Sequence, residues 1–162
     1  MNGKMPENVP GRSGKEPSVS RSSAQNFLEQ SWRLNEEIDC KIEQLDVLND
    51  LAVKTTSTLS GMPHAPGHEG SKLEDIIVKI VDLQEEINAD IDRLVDLKKE
   101  IGRLIAQVED KDQRLILELR YLCWKPWDEI EVRMSLSKSG VYYLKINALK
   151  SFETIFLKNE IN

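Results

Sequence analysis

Apolar residues recur along most of this chain at the spacing of amphipathic helices, and one stretch repeats every seven residues. A strict seven-residue repeat over five heptads is typical of a helix that supercoils around a partner helix. Ser71 and Glu74 have the spacing of a capping box, so the pattern predicts a helix from about Ser71 to Val108. The repeating positions are Leu73, Ile80, Ile87, Leu94, Ile101 and Val108, flanked by Ile77, Ile91 and Ile105.

An earlier apolar stripe predicts a first long helix that begins at Ser22 and ends near Leu59. Residues 60–70 hold three glycines and two prolines, which end both helices. We expect an antiparallel hairpin over residues 23–109, with Ile38 facing the segment 77–91, although the seam equally suits a second copy of the chain. Residues 1–22 are polar and rich in Gly, Pro and Ser, so they are predicted to form a disordered tail.

The C-terminal residues 110–158 predict a compact unit of three short helices. Asp110 can cap the first helix and Pro126 can start the second, since proline favours the first turn. The first helix is expected to bury Leu115, Ile116, Leu119 and Leu122, the second Trp127, Ile130 and Met134, and the third Val141, Leu144, Ala148, Phe152 and Ile155. The predicted fold class is therefore all-α: a long coiled-coil hairpin followed by a three-helix domain.

The connection between the second and third short helices has the form of a helix-turn-helix. Ser135, Leu136 and Ser137 make the turn, with Leu136 as its apolar plug and Ser137 as the cap of the next helix. In such motifs the start of the second helix enters the DNA major groove. Burial of its apolar side leaves a set of polar and aromatic residues as candidate DNA contacts: Ser137, Lys138, Ser139, Tyr142, Tyr143 and Lys145.

Charge is unevenly divided along the chain. The 22 basic and 28 acidic residues give −6 overall, with +2 in residues 1–22, −10 in residues 23–110 and +2 in residues 111–162. A phosphate backbone attracts basic surface. Only the C-terminal unit therefore suits double-stranded DNA, whereas the acidic hairpin does not.

Metal, redox and membrane chemistry have little support in the sequence. The two cysteines, Cys40 and Cys123, lack the paired spacing of a zinc site, and His64 and His68 have no third ligand nearby, so no metal or cofactor is expected. No apolar run reaches the roughly 20 residues that span a bilayer. We expect a cytoplasmic protein with reduced thiols and without membrane attachment.

Catalysis is also not expected. The acidic residues of the second helix have no neighbouring histidine or cysteine nucleophile with which to perform acid–base chemistry. They are interpreted as a solvated helix face: Glu85, Glu86, Asp90, Asp92 and Asp96.

Several short segments carry a family resemblance. The segments LELRY (117–121), WDEI (127–130) and NAL (147–149), with the Ser137 cap and Val141, resemble the region-four helix-turn-helix of bacterial sigma factors. Together with KIVDLQEEIN (79–88) and DRLVDLKKEI (92–101), they make residues 25–157 similar to the sigma-like, ArpU-type transcriptional regulators of phages and prophages of Gram-positive bacteria. The resemblance implies a non-enzymatic regulator that binds DNA at phage promoters.

Two other interpretations remain open at this point. The hairpin suits a non-catalytic coiled-coil assembly or scaffolding protein of a phage. Alternatively, the chain is a partner of host RNA polymerase that contacts DNA only beside the enzyme. A scaffold has no use for the combination of cap, plug and helix spacing in residues 135–148, so the DNA-binding regulator is the preferred hypothesis.

Overall fold

The structure, a computed structural model, describes residues 22–59 and 68–161, and all regular secondary structure in them is helical. This confirms the all-α prediction. The predicted tail up to residue 21, most of the Gly/Pro loop and His64 lie outside the described residues. The helices are α1 (Ser23–Leu59), α2 (His68–Ile105), α3 (Lys111–Leu117), a π-helical segment (Glu118–Leu122), α4 (Trp127–Met134) and α5 (Lys138–Glu160). Within the described ranges, no helix is both long and apolar enough to cross a bilayer.

The described residues form two compact units. One unit, called the arms here, comprises residues 33–59 and 68–95. The other, called the head, comprises residues 22–32 and 96–161. The two long helices contribute to both units, so the head contains the first turns of α1 and the last turns of α2 in addition to the three C-terminal helices.

The arms are an antiparallel hairpin. The Lys41 Nζ of α1 lies 2.7 Å from Asp90 Oδ2 and 3.1 Å from Glu86 Oε2 of α2. Further along α1, Leu51 shares a groove with Asp75, which lies earlier in α2. Residues later in α1 therefore lie beside residues earlier in α2, so the two helices are antiparallel, which confirms the predicted fold-back.

The residues of α2 that face α1 are spaced alternately three and four residues apart along the sequence. None of them is exposed: Leu73, Ile76, Ile80, Leu83, Ile87, Asp90 and Leu94. Ile77 and Ile91, which the sequence predicts in the seam, are 48% and 41% exposed, so that part of the prediction is wrong. The physical reason is that one partner helix covers only a narrow stripe of α2.

Asp90 departs from the predicted solvated acidic face. It lies 14 residues, or two heptads, after Ile76 and is only 7% exposed. Hydrogen bonding to Lys41, aided by the nearby Arg93 guanidinium, lowers the pKa of Asp90, and the same hydrogen bond raises the pKa of Lys41. A polar pair inside an apolar seam typically selects one register of the two helices.

Both ends of α2 differ from the sequence prediction. The helix begins at His68, so Ser71 lies inside its first turns and does not cap it. Extending a helix that has already formed requires little free energy, so α2 can begin three residues before Ser71. Gly70 lies in this added part, and a side chain added there would have open space around it. At the other end α2 stops at Ile105, because the amide groups of Gln107 and Val108 donate to carbonyls three residues back and tighten the chain.

The head is built around one apolar core. Its centre combines Leu28 of α1, Ile101 and Ile105 of α2 and Phe152 of α5, each fully buried. Asp110 caps α3 as predicted, with Gln113 N donating to Asp110 Oδ1 over 2.8 Å. Further core residues from the three C-terminal helices and the π-helical segment are Ile116, Leu117, Leu119, Tyr121, Ile130, Val141, Ala148 and Phe156.

The π-helical segment changes which residues face this core. Cys123 N donates to Glu118 O across five residues, a wider turn than the α-helical one. The wider turn shifts the phase of the helix after Glu118, which keeps Tyr121 on the buried side together with Leu117. Leu115 lies before the wide turn, on the side of α3 opposite Leu117, and is 42% exposed, so the prediction that it packs inward was wrong.

One buried hydroxyl joins α1 to the π-helical segment. Ser31 is fully buried, and its Oγ donates to the Tyr121 carbonyl over 3.3 Å. The same oxygen accepts a hydrogen bond from the Trp124 indole Nε1 at 3.4 Å. The backbone of Trp124 is left-handed, with φ 51°, and the Lys98 ammonium lies 4.1 Å from the centre of its ring.

Candidate nucleic-acid interface

The candidate site is the pair of helices α4 and α5 with the three-residue turn between them. Ser135 ends α4 in the left-handed conformation, with φ 53°, and its backbone amide donates to Val132 O. Leu136 N then donates to Glu131 O over 3.0 Å. Ser137 caps α5, because its Oγ accepts from Gly140 N at 3.1 Å. The predicted turn and cap are both present.

Leu136 does not act as a buried plug. It is 36% exposed and lies against the start of α5, where a Cβ added to Gly140 would meet the Leu136 Cβ at 3.5 Å. The left-handed Ser135 ends α4, so Leu136 belongs to neither helix and is not among the residues that pack against the head core. A Cβ at Gly140 would also lie 3.4 Å from Ser137 Oγ, an ordinary contact distance, so packing within the head does not require glycine there.

The inner side of the motif is fixed by the head core. Ile130 of α4 and Ala148 of α5 are fully buried, and Val141 is nearly so. The small Ala148 permits a close approach of the helices. The orientation of α5 therefore depends on packed apolar side chains, which is the support that a DNA-reading helix needs.

The outer side of α5 presents most of the predicted contacts together. Lys138 and Ser139 are exposed, and Tyr142 and Tyr143 are 55% and 66% exposed. The two tyrosine rings meet edge to face with their centres 5.8 Å apart. Ser137 is exposed as well, but its oxygen is engaged in capping.

Lys145 lies apart from this group. It is half-buried, and its Nζ lies 4.9 Å from the centre of the Trp127 ring. The position follows from helix geometry, since Lys145 comes one turn after the buried Val141 and so borders the inner side. The Trp127 ring also holds the Arg120 guanidinium at 4.8 Å, which links the π-helical segment, α4 and α5.

Arg120 is a structural residue of this site. Its Nη1 donates to Lys125 O over 2.9 Å, which ties the π-helical segment to the start of α4. Burial lowers the pKa of Arg120, but a guanidinium remains charged in proteins. Its contacts place it beneath the candidate DNA face and not on it.

Two further residues belong to the outer face, and the sequence prediction missed them. Asn147 and Lys150 are exposed and lie four and seven residues beyond Tyr143, on the same side of α5. Their helical spacing from Ser139 was the available signal. An asparagine can bind adenine through two hydrogen bonds, and lysine suits a phosphate. We call the set Lys138, Ser139, Tyr142, Tyr143, Asn147 and Lys150 the outer face of α5.

Helix α4 carries three acidic residues, Asp128, Glu129 and Glu131, and one arginine, Arg133, so its net charge is −2. Glu129 Oε1 lies 2.7 Å from the Arg133 Nη2 and 3.2 Å from the Lys125 Nζ. The outer face of α5 contains two lysines and no acidic residue. Attraction for phosphate is therefore concentrated at α5.

Other kinds of site have less support. Among the described residues, no cluster of three or more histidine, cysteine or acidic side chains could hold a metal ion. Both cysteines, Cys40 and Cys123, are exposed thiols.

The comparisons with known proteins identify a family without an assigned activity. No curated protein and no solved structure is similar enough to match. A model of proteins of unknown function (DUF1492) matches residues 54–153. That range is 100 of the 162 residues and includes α2, α3, α4 and most of α5. The chain therefore belongs to the DUF1492 family.

Proposed function

We propose that this protein is a DNA-binding transcriptional regulator, similar to the sigma-like, ArpU-type regulators of phages, whose helix α5 enters the major groove. The observation that carries the proposal is the outer face of α5, which follows directly after a capped three-residue turn. Exposed tyrosines beside lysines, on a helix whose other side is fixed in a core, suit base and phosphate contacts. The role requires no catalysis and places the protein in the cytoplasm with its DNA.

The outer face divides into two kinds of contact. Lys138 and Lys150 lie at the two ends of this face along α5. Both suit contacts with phosphates, which hold the protein on DNA of any sequence. Ser139, Tyr142, Tyr143 and Asn147 form its middle and suit base edges, which determine sequence preference. Lys145 beside Trp127 is proposed to reach a phosphate at the border of the groove.

Charge distribution supports the head as the part that binds DNA. Residues 111–162 carry +2, whereas residues 23–110 carry −10. The acidic arms repel a polyanion, so DNA is expected to contact the head alone. The head itself is neutral, because its residues 22–32 and 96–110 carry −2 and offset the +2 of its C-terminal part. A head without net positive charge also suits a protein that binds DNA beside host RNA polymerase, which would add affinity.

The test is a salt-dependent anisotropy titration of the full chain with DNA recovered by selection from random sequences. Lys138→Ala should weaken binding to all sequences alike and reduce the salt slope by about one unit. The matched control is Lys99→Ala, which removes the same charge from an exposed position of α2 and should leave the slope unchanged. If the wild type shows no salt-dependent DNA binding, alone or with RNA polymerase, the proposal fails.

A second candidate function, a coiled-coil assembly or scaffolding protein of a phage, is favoured by a different observation. Several apolar residues of the arms are exposed, including Ile77, Val81, Ile91 and Val95. An assembly protein would depend on these positions and not on the outer face of α5. Loss of function in an arm variant that still binds DNA normally would favour this candidate.

A further inference from the structure

We infer that the arms of two copies of this chain associate through one side of α2. The surface, called the α2 stripe here, lies beside the seam with α1 and is exposed throughout its length. It spans about 27 Å, given the helical rise over 18 residues. Its members are Ile77, Val81, Gln84, Asn88, Ile91 and Val95.

The α2 stripe differs sharply from the rest of the exposed surface of α2. None of its six residues is charged. Between residues 77 and 95, six of the other eight exposed positions carry a charge: Lys79, Asp82, Glu85, Glu86, Asp92 and Arg93, against Val78 and Ala89. A helix that pairs with a single partner needs only one apolar seam, whereas a helix inside a bundle shows a wider apolar face. The extra apolar side of α2 therefore indicates a further helix as its partner.

The spacing of the stripe is that of a second coiled-coil seam. Its residues alternate by four and three along α2, the same alternation as the seam with α1. This spacing supports knobs-into-holes packing with another helix over five successive steps. A small ligand or an irregular loop would not require such regular spacing.

The occupant is identified by the symmetry of the stripe. About a two-fold axis at residue 86, Ile77 pairs with Val95, Val81 with Ile91 and Gln84 with Asn88 of the other copy. Each apolar residue meets an apolar residue, and the amides meet each other and can exchange hydrogen bonds. A two-fold interface requires one patch to complement itself in this way. In a parallel pairing every residue faces the same residue of the other copy, whatever the sequence. The match of apolar with apolar residues described here is therefore evidence only for the antiparallel arrangement.

One exposed contact opposes the pairing. Glu85 borders the stripe next to the axis, so the antiparallel arrangement brings it near Glu85 of the other copy. The two Glu85 carboxylates are both negative and repel each other, although salt screens this repulsion. Association is therefore expected to strengthen with added salt, and Glu85→Gln should tighten it.

The first experiment is sedimentation equilibrium of the full chain at micromolar concentrations. The wild type should be dimeric, and Val81→Glu should raise the dimer dissociation constant at least about 100-fold, because symmetry places the buried carboxylate in the interface twice. Val78→Glu is the matched control, since Val78 is 58% exposed but lies off the stripe, and it should remain dimeric. Circular dichroism should show the same helix content in all three, because both valines are already exposed in the single chain.

A mixing experiment tests the register. Val81→Lys and Ile91→Glu chains should each be monomeric alone, because each would bury two unpaired charges on pairing. Mixed together they should form a heterodimer, in which Lys at 81 meets Glu at 91 and the other apolar and amide layers are unchanged.

Three results would overturn the inference: a monomeric wild type, which would leave a helix of another protein as the occupant; a Val81→Glu chain as dimeric as the control; or no heterodimer on mixing. The inference is independent of DNA binding, because mass is measured without DNA. The titration proposed for α5 can therefore fail while the dimer stands, and the reverse also holds.

Discussion

The arms and the head of this protein are both helical, but they are stabilised in different ways. In the head, four structural segments and both long helices bury side chains in one core, and Ile130 and Phe152 are fully enclosed. In the arms, two helices meet along a line, and even the buried seam residues keep some exposure, from 4% at Ile38 to 9% at Ile76. A compact core resists local opening, whereas a linear seam leaves apolar surface for another molecule. This difference suits the head to the positioning role proposed for α5 and the arms to the association inferred for the α2 stripe.

The largest expected effect contrasts one residue type in the two environments. Ile130→Ala in the head should lower the free energy of unfolding by about 4 kcal/mol, since the surrounding core cannot collapse into the cavity. Ile76→Ala in the arms should lower it by about 2 kcal/mol, because solvent already reaches the site. Urea denaturation followed by circular dichroism measures both. Equal losses would show that the arms are packed as tightly as the head.

The next effect concerns the buried hydroxyl of the head. Ser31→Ala removes the partner of both the Tyr121 carbonyl and the Trp124 indole, so it should lower stability by about 2 kcal/mol, the usual penalty for buried groups left unsatisfied. Ser23→Ala, at an exposed position of the same helix, is the control and should change stability by less than about 0.5 kcal/mol. A Ser31→Ala protein as stable as the control would mean that these hydrogen bonds contribute nothing.

A smaller effect depends on pH and belongs to the arms. The folded pKa of Asp90 is lowered below its unfolded value of about 3.9. The stabilisation by the ion pair with Lys41 is therefore fully present above that value and is lost as the pH falls through the lowered folded pKa. Asp90→Asn should melt a few degrees below the wild type at pH 7, and the gap should shrink below about pH 4. Asp92→Asn, an exposed neighbour, is the control, and a gap that grows in acid would contradict the assignment.

The smallest effect separates stability from function at the start of α5. Gly140→Ala should raise stability by up to about 1 kcal/mol, because alanine favours helix and the added Cβ makes only ordinary contacts. If the α5 backbone approaches DNA closely at this point, the same change should weaken DNA binding. Melting temperature and anisotropy on the same sample provide the test. A protein that is both more stable and unchanged in affinity would place DNA away from Gly140.

Much of the fold followed from periodicity, and the failures have physical causes. The seven-residue repeat predicted α2 and the hairpin, but it did not show how narrow a stripe α1 covers, so Ile77 and Ile91 were misplaced. Counting in sevens from Ile76 would have placed Asp90 in the seam. The π-helical turn at Glu118 had no local signal, because its wider hydrogen bonds depend on the packing of the head.

The candidate site was predictable in part. The cap at Ser137 and the exposed tyrosines follow from local spacing, and the structure brings them together. The half-buried position of Lys145, one turn after Val141, and the exposure of Asn147 could have been obtained from helix geometry. The exposure of Leu136 could not, because it depends on where the left-handed Ser135 ends α4.

The central claim is that the outer face of α5 reads base edges, and selection of DNA from random sequences tests it most directly. The wild type and Tyr142→Ala should be selected side by side, with Val78→Glu in the arms as the control. The account predicts a defined sequence preference for the wild type, the same preference for the control, and an altered one for Tyr142→Ala. Identical preferences in all three proteins, or no enrichment by the wild type, would contradict it.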